Sequence, residues 1–186
     1  SENNNEKIKT RGRNKDKIED VDGLVTKINR LENSTDWYNV LIWLAYATGR
    51  RMIEIVSTAE FKKCKENEYN AWFCGQAKTR NNEFISVKYK IPLLAPFKQV
   101  KEAMKYLRST DKIQSTIGKS RESINKLLSS HVNFHTKKHT KEHAAKFSFH
   151  TLRAMYALLC VGTLKPSSMY QTDFVLYTYK LIVSSF

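Results

Sequence analysis

Hydrophobic residues recur at helical spacing along most of the chain, and this spacing predicts its helices. Residues 16–31 place apolar side chains three and four positions apart, which is typical of an amphipathic helix. Residues 36–48, DWYNVLIWLAYAT, are apolar on nearly every side and predict a central buried helix. We expect this helix to be capped from Asn33–Thr35 and to stop or bend at Gly49. Further helices are predicted over 95–109, 120–134 and 146–160, with an apolar tail over 167–186 as a candidate last helix.

The pattern changes after Thr58, where aromatic and β-branched residues partly alternate with polar ones. The segments FKKC, YNAWFCGQA and FISVKYKIPLL have this character, and KENE and KTRNNE lie between them as turns. Pro92 and Pro96 close the region. We therefore predict a mainly α, α+β fold with a small three-stranded antiparallel sheet.

The charge of the chain points to a polyanionic partner. Lysine and arginine number 32 against 18 acidic residues, so the net charge is +14. Nucleic acid is favoured over a membrane surface, because we find no basic amphipathic helix or lipidation motif, although a merely solvated basic face is the alternative. No apolar run reaches the length of a membrane span and no signal peptide is present, so we expect a cytosolic protein. The widely spaced Cys64, Cys74 and Cys160 indicate reduced, packed thiols.

Basic residues stand at the ends of three predicted elements. Arg51 follows Thr48–Gly49 at the end of the central helix, Lys78 lies at the tip of a predicted hairpin, and His150 and Arg153 share one face of a late helix. Each residue alone is more often solvated, salt-bridged or a helix cap. Together they can converge on one phosphate.

These residues carry a resemblance to a known family. TGRRMIEI resembles the first-arginine motif of the tyrosine recombinases, GQAKTR their hairpin lysine, and FSFHTLRAMYA their His-x-x-Arg motif. The doubled arginine and the residue sequences of the other two motifs look closer to the telomere resolvases (protelomerases) than to ordinary phage integrases. The resemblance covers roughly residues 35–160, and it implies a tyrosine recombinase-type catalytic domain over 16–186, after a disordered polar and basic extension over 1–15.

The resemblance implies that DNA is cleaved and rejoined through a 3′-phosphotyrosine, without a metal or a nucleotide cofactor. Arg51 and Arg153 would clamp the phosphate, and Lys78 would protonate the leaving 5′-oxygen. His150 would accept the proton of the nucleophile or bind the phosphate. The late Gly-His motif and its tyrosine are not found after Arg153. We therefore expect the chain to be truncated before the nucleophile, with Tyr179 as the candidate if it is complete.

Other basic residues have less defined roles. Arg50 is expected either to contact the DNA backbone or to pair with Glu54, which we expect to hold an arginine or cap the helix. Arg80, Lys137 and Lys138 are further candidates for DNA contacts. A stripe of four histidines, each four residues apart, lacks an acid or cysteine to complete a metal site, so a DNA-facing segment or a solvated loop is favoured (His131, His135, His139 and His143).

The function that these expectations favour is telomere resolution, which leaves closed hairpin ends. The substrate would be duplex DNA with an inverted-repeat site, bound by a homodimer or higher oligomer in the bacterial cytoplasm, with the protein encoded by a phage or plasmid. A phage or plasmid integrase is the alternative with the same chemistry. A DNA-binding protein without catalysis is the alternative from a different class.

Overall fold

A computed structural model describes residues 18–77 and 88–162 of the chain. Helices precede and follow a small sheet, as predicted, and a five-residue π-helical turn over Glu54–Thr58 follows the second helix. In chain order the other elements are α1 (Val21–Asn29), α2 (Trp37–Thr48), β1 (Glu60–Lys63), β2 (Asn70–Cys74), β3 (Tyr89–Pro92), α3 (Phe97–Ser109), α4 (Asp111–Gln114), α5 (Arg121–Thr140) and α6 (Phe149–Cys160).

Helix α2 forms the centre of the fold, as its apolar sequence predicts. Every residue from Val40 to Thr48 is buried, and α3, α5 and α6 all pack around this helix. A helix that is apolar on all sides is stable in water only when other elements cover it. Gly49 ends the helix in the left-handed conformation, with φ 64°, and its amide donates to the carbonyl of Ala45.

The predicted antiparallel sheet is confirmed, with β2 between β1 and β3. Phe73 of β2 lies opposite Phe61 of β1 and Tyr89 of β3, and its ring centroid is 5.5 Å and 5.3 Å from theirs. Such cross-strand aromatic pairs stabilise a sheet on one face. Pro92 ends β3 and Pro96 caps α3, so the two prolines close the sheet region as expected.

Two of the predicted helices differ most from their predicted lengths. Helix α1 begins at Val21 because the carboxylate of Asp20 accepts the amide of Gly23 at 2.9 Å, and Ile18 instead forms a bridge with Ala144. Helix α5 continues to Thr140, because a buried face recurs every four residues through the histidine-rich stretch (Ile124, Leu128, Val132, Thr136 and Thr140). The alternative of a solvated loop over residues 131–140 is therefore wrong.

Several sequence predictions lie outside the described residues: the polar extension over 1–15, the hairpin tip with Lys78 and Arg80, and the tail with Tyr179. The three cysteines are free thiols, and two of them, Cys64 and Cys160, are buried. Within the described ranges, no helix combines the length and apolar character needed to cross a membrane.

Candidate phosphate-binding site

Arg51 is held in place by a buried carboxylate three residues further along the chain. The carboxylate of Glu54, which is fully buried, accepts the Arg51 amide and the Arg51 Nη1, both at 3.0 Å. The side chain of Arg51 nevertheless stays 32% exposed. A guanidinium that is fixed on one side and open on the other can bind an anion from solvent without a further loss of side-chain freedom.

The same carboxylate also holds the end of the segment that leads to Lys78. Glu54 Oε1 accepts the amide of Ala77 at 3.1 Å, and Lys78 follows Ala77 in the chain. Burial opposes ionisation of Glu54, but the amides of Arg51 and Ala77 and the charges of Arg50 and Arg51 hold the pKa of its carboxyl below the ordinary value. Glu54 is therefore ionised at neutral pH, and it joins two segments of the site.

Arg153 reaches this site through the packing of α6 on the end of α2. Tyr156, one turn after Arg153, lies against Gly49 and donates its hydroxyl to the carbonyl of Pro92 at 2.7 Å. Burial, together with the positive charges of Arg51 and Arg50, lowers the pKa of Arg153 to about 10. Arg153 still carries its charge at neutral pH.

Three guanidiniums thus interact electrostatically around one carboxylate. Arg50, Arg51 and Glu54 all influence the charge state of the half-buried Arg153. Like charges held together in a partly buried site are costly unless an anion is bound there. The structure therefore brings together the two arginines that the sequence predicts as a phosphate clamp, although they are about a hundred residues apart in the chain.

Arg51, and not Arg50, makes the ion pair with Glu54. The side chain of Arg50 takes a different direction. The Nε of Arg50 donates to the carbonyl of Thr48 at 3.2 Å, and its Nη1 donates to the hydroxyl of Tyr89 at 2.9 Å. Its guanidinium carbon lies 4.7 Å from the centre of the Phe73 ring, which is a cation–π distance. Arg50 is therefore directed towards the sheet.

Two further arginines support the site, and the sequence carries no signal for either. Arg108 of α3 donates to the carbonyls of Ile55 and Ala59, at 3.0 Å and 2.8 Å, and so holds the end of the π-helical turn. Burial lowers the pKa of Arg108. Arg121 of α5 donates to the carbonyl of Ala77. From the sequence alone, both arginines would be assigned to the solvated faces of amphipathic helices, because their partners lie far away in the chain.

The remaining basic candidates are spread around this region. His150 is exposed in the first turn of α6, one turn before Arg153. Lys137 of α5 lines an open cleft of about 450 Å³. Lys146 and Ser148, which lie just before α6, line the same cleft. Lys138 instead lies near His135 and His139, where burial lowers the pKa of both and the charge of Lys138 adds to the two shifts. The structure therefore places Lys137 beside α6 and Lys138 on another face of α5.

The four histidines do not gather around one point. His131 and His135 contact each other, with ring centroids 4.6 Å apart, whereas His139 and His143 have other partners. His131 stacks on Trp37 with ring centroids 5.4 Å apart, and His135 stacks on Tyr38 at 3.8 Å. His139 contacts Asn39 and His143 contacts Asp20, at 2.8 Å and 2.9 Å. Across residues 18–77 and 88–162, no group of three or more His, Cys, Asp or Glu side chains is arranged to hold a metal ion.

Comparison with curated protein sequences gives no match. Among solved structures, the protelomerase TelA covalently complexed with substrate DNA superposes with a TM-score of 0.72 and 23% identity, over 91% of this chain and 56% of TelA. A TelA variant complexed with a DNA hairpin product gives a TM-score of 0.75 and 21% identity, over 91% of this chain and 56% of the variant.

The protelomerase TelK complexed with substrate DNA gives a TM-score of 0.67 and 21% identity, over 97% of this chain. The chain spans about half of TelA, at 56%, and 39% of TelK. These likenesses establish a shared fold. The family model described as the telomere resolvase ResT/TelK catalytic domain matches residues 14–178, which is most of the chain. The chain therefore belongs to the telomere resolvase ResT/TelK catalytic domain family.

Proposed function

We propose that this chain supplies the phosphate-binding part of an enzyme that resolves telomeres, by cutting duplex DNA and rejoining its strands as closed hairpin ends. One observation carries the proposal: Arg51 is paired with the buried Glu54, and Arg153 lies within electrostatic range of both, in a chain of this family. Further support comes from the TelA structures that contain substrate DNA and a DNA hairpin product. The net charge of +14 suits a DNA partner.

The chemistry is a transesterification at phosphorus. A tyrosine hydroxyl oxygen bonds to the phosphorus, the bond from phosphorus to the 5′-oxygen breaks, and the tyrosine proton passes to a base. Arg51 and Arg153 stabilise the negative charge that gathers on the non-bridging oxygens, and such donors contribute about 10²–10³ in rate each. The 5′-hydroxyl of the opposite strand then attacks the phosphotyrosine and releases the tyrosine, which closes the hairpin.

The other roles complete this scheme. Lys78 gives a proton to the leaving 5′-oxygen, and His150, exposed one turn before Arg153, receives the tyrosine proton or binds the phosphate. Tyr179 is our candidate nucleophile within this chain. Arg80, Lys137 and Lys138 contact the DNA backbone. Two or more copies act on an inverted-repeat site in the bacterial cytoplasm, and the reaction needs no metal or nucleotide.

The test traps the covalent intermediate on a duplex that carries an inverted-repeat site and a nick, with the protein that contains this chain at full length. A band shifted on a denaturing gel, together with hairpin products from intact duplex, is the expected result. Mapping the attached residue tests Tyr179. Exchanged duplexes in place of hairpins would identify an integrase, and DNA binding without an adduct would identify a non-catalytic protein.

The matched variants are Arg51→Ala and Arg153→Ala. Each should reduce cleavage by at least about 10² while DNA binding changes little, because the clamp acts mainly in the transition state. Addition of EDTA should leave cleavage unchanged, and loss of activity with EDTA would revive the idea of a histidine-bound metal. Unchanged cleavage in either arginine variant would overturn the assignment of the clamp.

A further inference from the structure

Arg50 is bound on three sides by groups of this chain. Its Nε and Nη1 donate to the Thr48 carbonyl and the Tyr89 hydroxyl, at 3.2 Å and 2.9 Å, and one face of the guanidinium lies over Phe73 at 4.7 Å. These contacts orient the planar fork towards the sheet. A side chain held in this way is suited to fixing the position of its partners.

Tyr89 links Arg50 to the segment that follows β2. Its hydroxyl accepts Arg50 Nη1 and donates to Gln76 Oε1 at 3.3 Å. Tyr89 is the first residue of β3, and Gln76 lies two residues after the end of β2. Arg50 therefore reaches both chain segments that flank residues 78–87, one directly and the other through the Tyr89 hydroxyl.

The segment that contains Gln76 is also held from its other side. The amide of Ala77 donates to Glu54, which binds Arg51, and the carbonyl of Ala77 accepts Arg121. That carbonyl is joined through the peptide bond to the nitrogen of Lys78. Gly75, with φ 96°, packs so closely on the Thr58 carbonyl that a side chain there would collide with it. The residues just before Lys78 are thus fixed relative to the arginine site.

We propose that Arg50 and Tyr89 form a positioning pair for the proton donor, in place of the DNA contact that the sequence suggests for Arg50. The pair holds the Gln76–Ala77 segment in place beside Arg51, and the lysine proposed as the proton donor follows this segment in the chain. The inference rests on the proposed function, in which Lys78 protonates that oxygen. A misplacement of about 1 Å at a reacting group can cost about 10²-fold in rate.

The test uses the full-length protein and two substrates that differ in one atom. In the second substrate, sulfur replaces the bridging 5′-oxygen at the cleavage site. A thiolate leaves without a proton because a thiol is a far stronger acid than an alcohol. Loss of a proton donor, or of its position, should therefore slow cleavage of the oxygen substrate only. Loss of phosphate clamping should slow cleavage of both substrates.

The diagnostic variant is Tyr89→Phe, which keeps the ring against Phe73 and removes only the hydroxyl. We expect cleavage of the oxygen substrate to fall about 10-fold or more and cleavage of the sulfur substrate to stay near the wild-type rate. Arg50→Gln should behave in the same way, and Arg50→Lys should not restore the rate, because an ammonium lacks the planar fork. Thermal unfolding of each variant checks that it is folded.

Lys78→Ala and Arg51→Ala are the references on the same two substrates. If sulfur rescues Lys78→Ala but not Tyr89→Phe, the positioning inference fails while the proposed function stands. If sulfur does not rescue Lys78→Ala, the proton-donor role fails, and the inference fails with it. The double variant Lys78→Ala/Tyr89→Phe should be no slower than Lys78→Ala alone, and additive losses would overturn the pairing.

The salt dependence of DNA binding separates a positioning role from a phosphate contact. A lysine or arginine that neutralises one phosphate adds about one to the slope of log K against log salt. Arg50→Gln should therefore leave this slope unchanged. A slope lower by about one, together with equal losses on the oxygen and sulfur substrates, would show that Arg50 is a phosphate ligand and would overturn the inference.

Discussion

Gly49 lies directly against the ring of Tyr156. A Cβ built on Gly49 would stand 2.2 Å from Tyr156 Cδ1, which is well inside the contact distance of two carbon atoms. The end of α2 and the helix that carries Arg153 therefore approach as closely as a glycine permits. Because Arg50 and Arg51 follow Gly49 in the chain, this contact sets how near they come to Arg153.

Gly49→Ala should consequently be more destabilising than an ordinary glycine substitution. A left-handed alanine costs about 1 kcal/mol, and the collision with Tyr156 adds to it, so we expect a loss of about 3 kcal/mol or more in the free energy of unfolding. Gly118→Ala is the matched control, since Gly118 has φ 76° with no atom within 4 Å of the added Cβ. Equal losses in urea unfolding of the two variants would contradict the close contact.

Glu54→Gln should weaken both the fold and the site. The two carboxylate oxygens of Glu54 accept hydrogen bonds, and glutamine replaces one of them with an NH₂ group that can only donate. The substitution also removes the negative charge beside three arginines. We expect a loss of about 3 kcal/mol at pH 7, while Glu142→Gln at an exposed position changes the free energy of unfolding by less than about 0.5 kcal/mol.

The loss of folding stability in acid gives an independent check on Glu54. Its folded pKa lies below the ordinary 4.5, so the stability that its ionised form contributes is present above about pH 4.5. This stability is lost as the pH falls through the lowered folded value. Wild-type protein should therefore lose stability more steeply than Glu54→Gln below pH 4.5 in thermal unfolding. Parallel profiles would mean that Glu54 is not ionised in the folded protein.

Arg108→Met should loosen the π-helical turn. The substitution leaves the carbonyls of Ile55 and Ala59 without the donor that now holds them, so we expect a loss of about 2 kcal/mol. Arg108→Lys should recover only part of this loss, because one ammonium cannot reproduce the fork. Lys105→Met, at an exposed position of α3, is the control in the same urea titration. Full recovery by lysine would show that charge alone is needed.

The histidines of α5 should make the fold sensitive to mild acid. Burial and nearby positive charges, which include Lys138 for both residues, lower the pKa of His135 and His139 from 6.5. The unfolded chain then binds protons first, so stability is complete above about pH 6.5 and falls as the pH drops towards the lowered folded values. The double variant His135→Gln/His139→Gln should have a flatter melting profile from pH 7 to 5.5. An unchanged profile would show that groups other than these two histidines cause the acid sensitivity.

DNA binding by the full-length protein should weaken steeply with salt, because several phosphates are neutralised. Lys137→Ala should lower the slope of log K against log salt by up to about one, since Lys137 lines the cleft beside α6. Lys105→Ala is a control of the same charge on α3. Native gel shifts over a series of salt concentrations measure both variants. A flat response of the wild type would contradict binding along the phosphate backbone.

Much of the local structure could be predicted from the sequence, because it depends on neighbours within a few residues. The apolar run over 36–48 and the glycine after it determine a buried helix that ends at Gly49. The short spacing of Arg50, Arg51 and Glu54 indicates an ion pair between Glu54 and one of the two arginines, which the structure assigns to Arg51, and alternating aromatic residues determine the strands. The positions of Arg51 and Arg153 at helix ends made both of them candidates for a phosphate site.

Contacts between distant segments were decided only by the tertiary structure. Arg50 binds Tyr89, Glu54 binds Ala77, and Arg108 holds the π-helical turn, although 39, 23 and about 50 residues separate these partners. Hydrophobic periodicity records which face of an element is buried, but it does not record which element covers that face. The length of α5 and the roles of Arg108 and Arg121 depend on the covering elements. The packing of α6 on Gly49 therefore turns separate basic residues into one site.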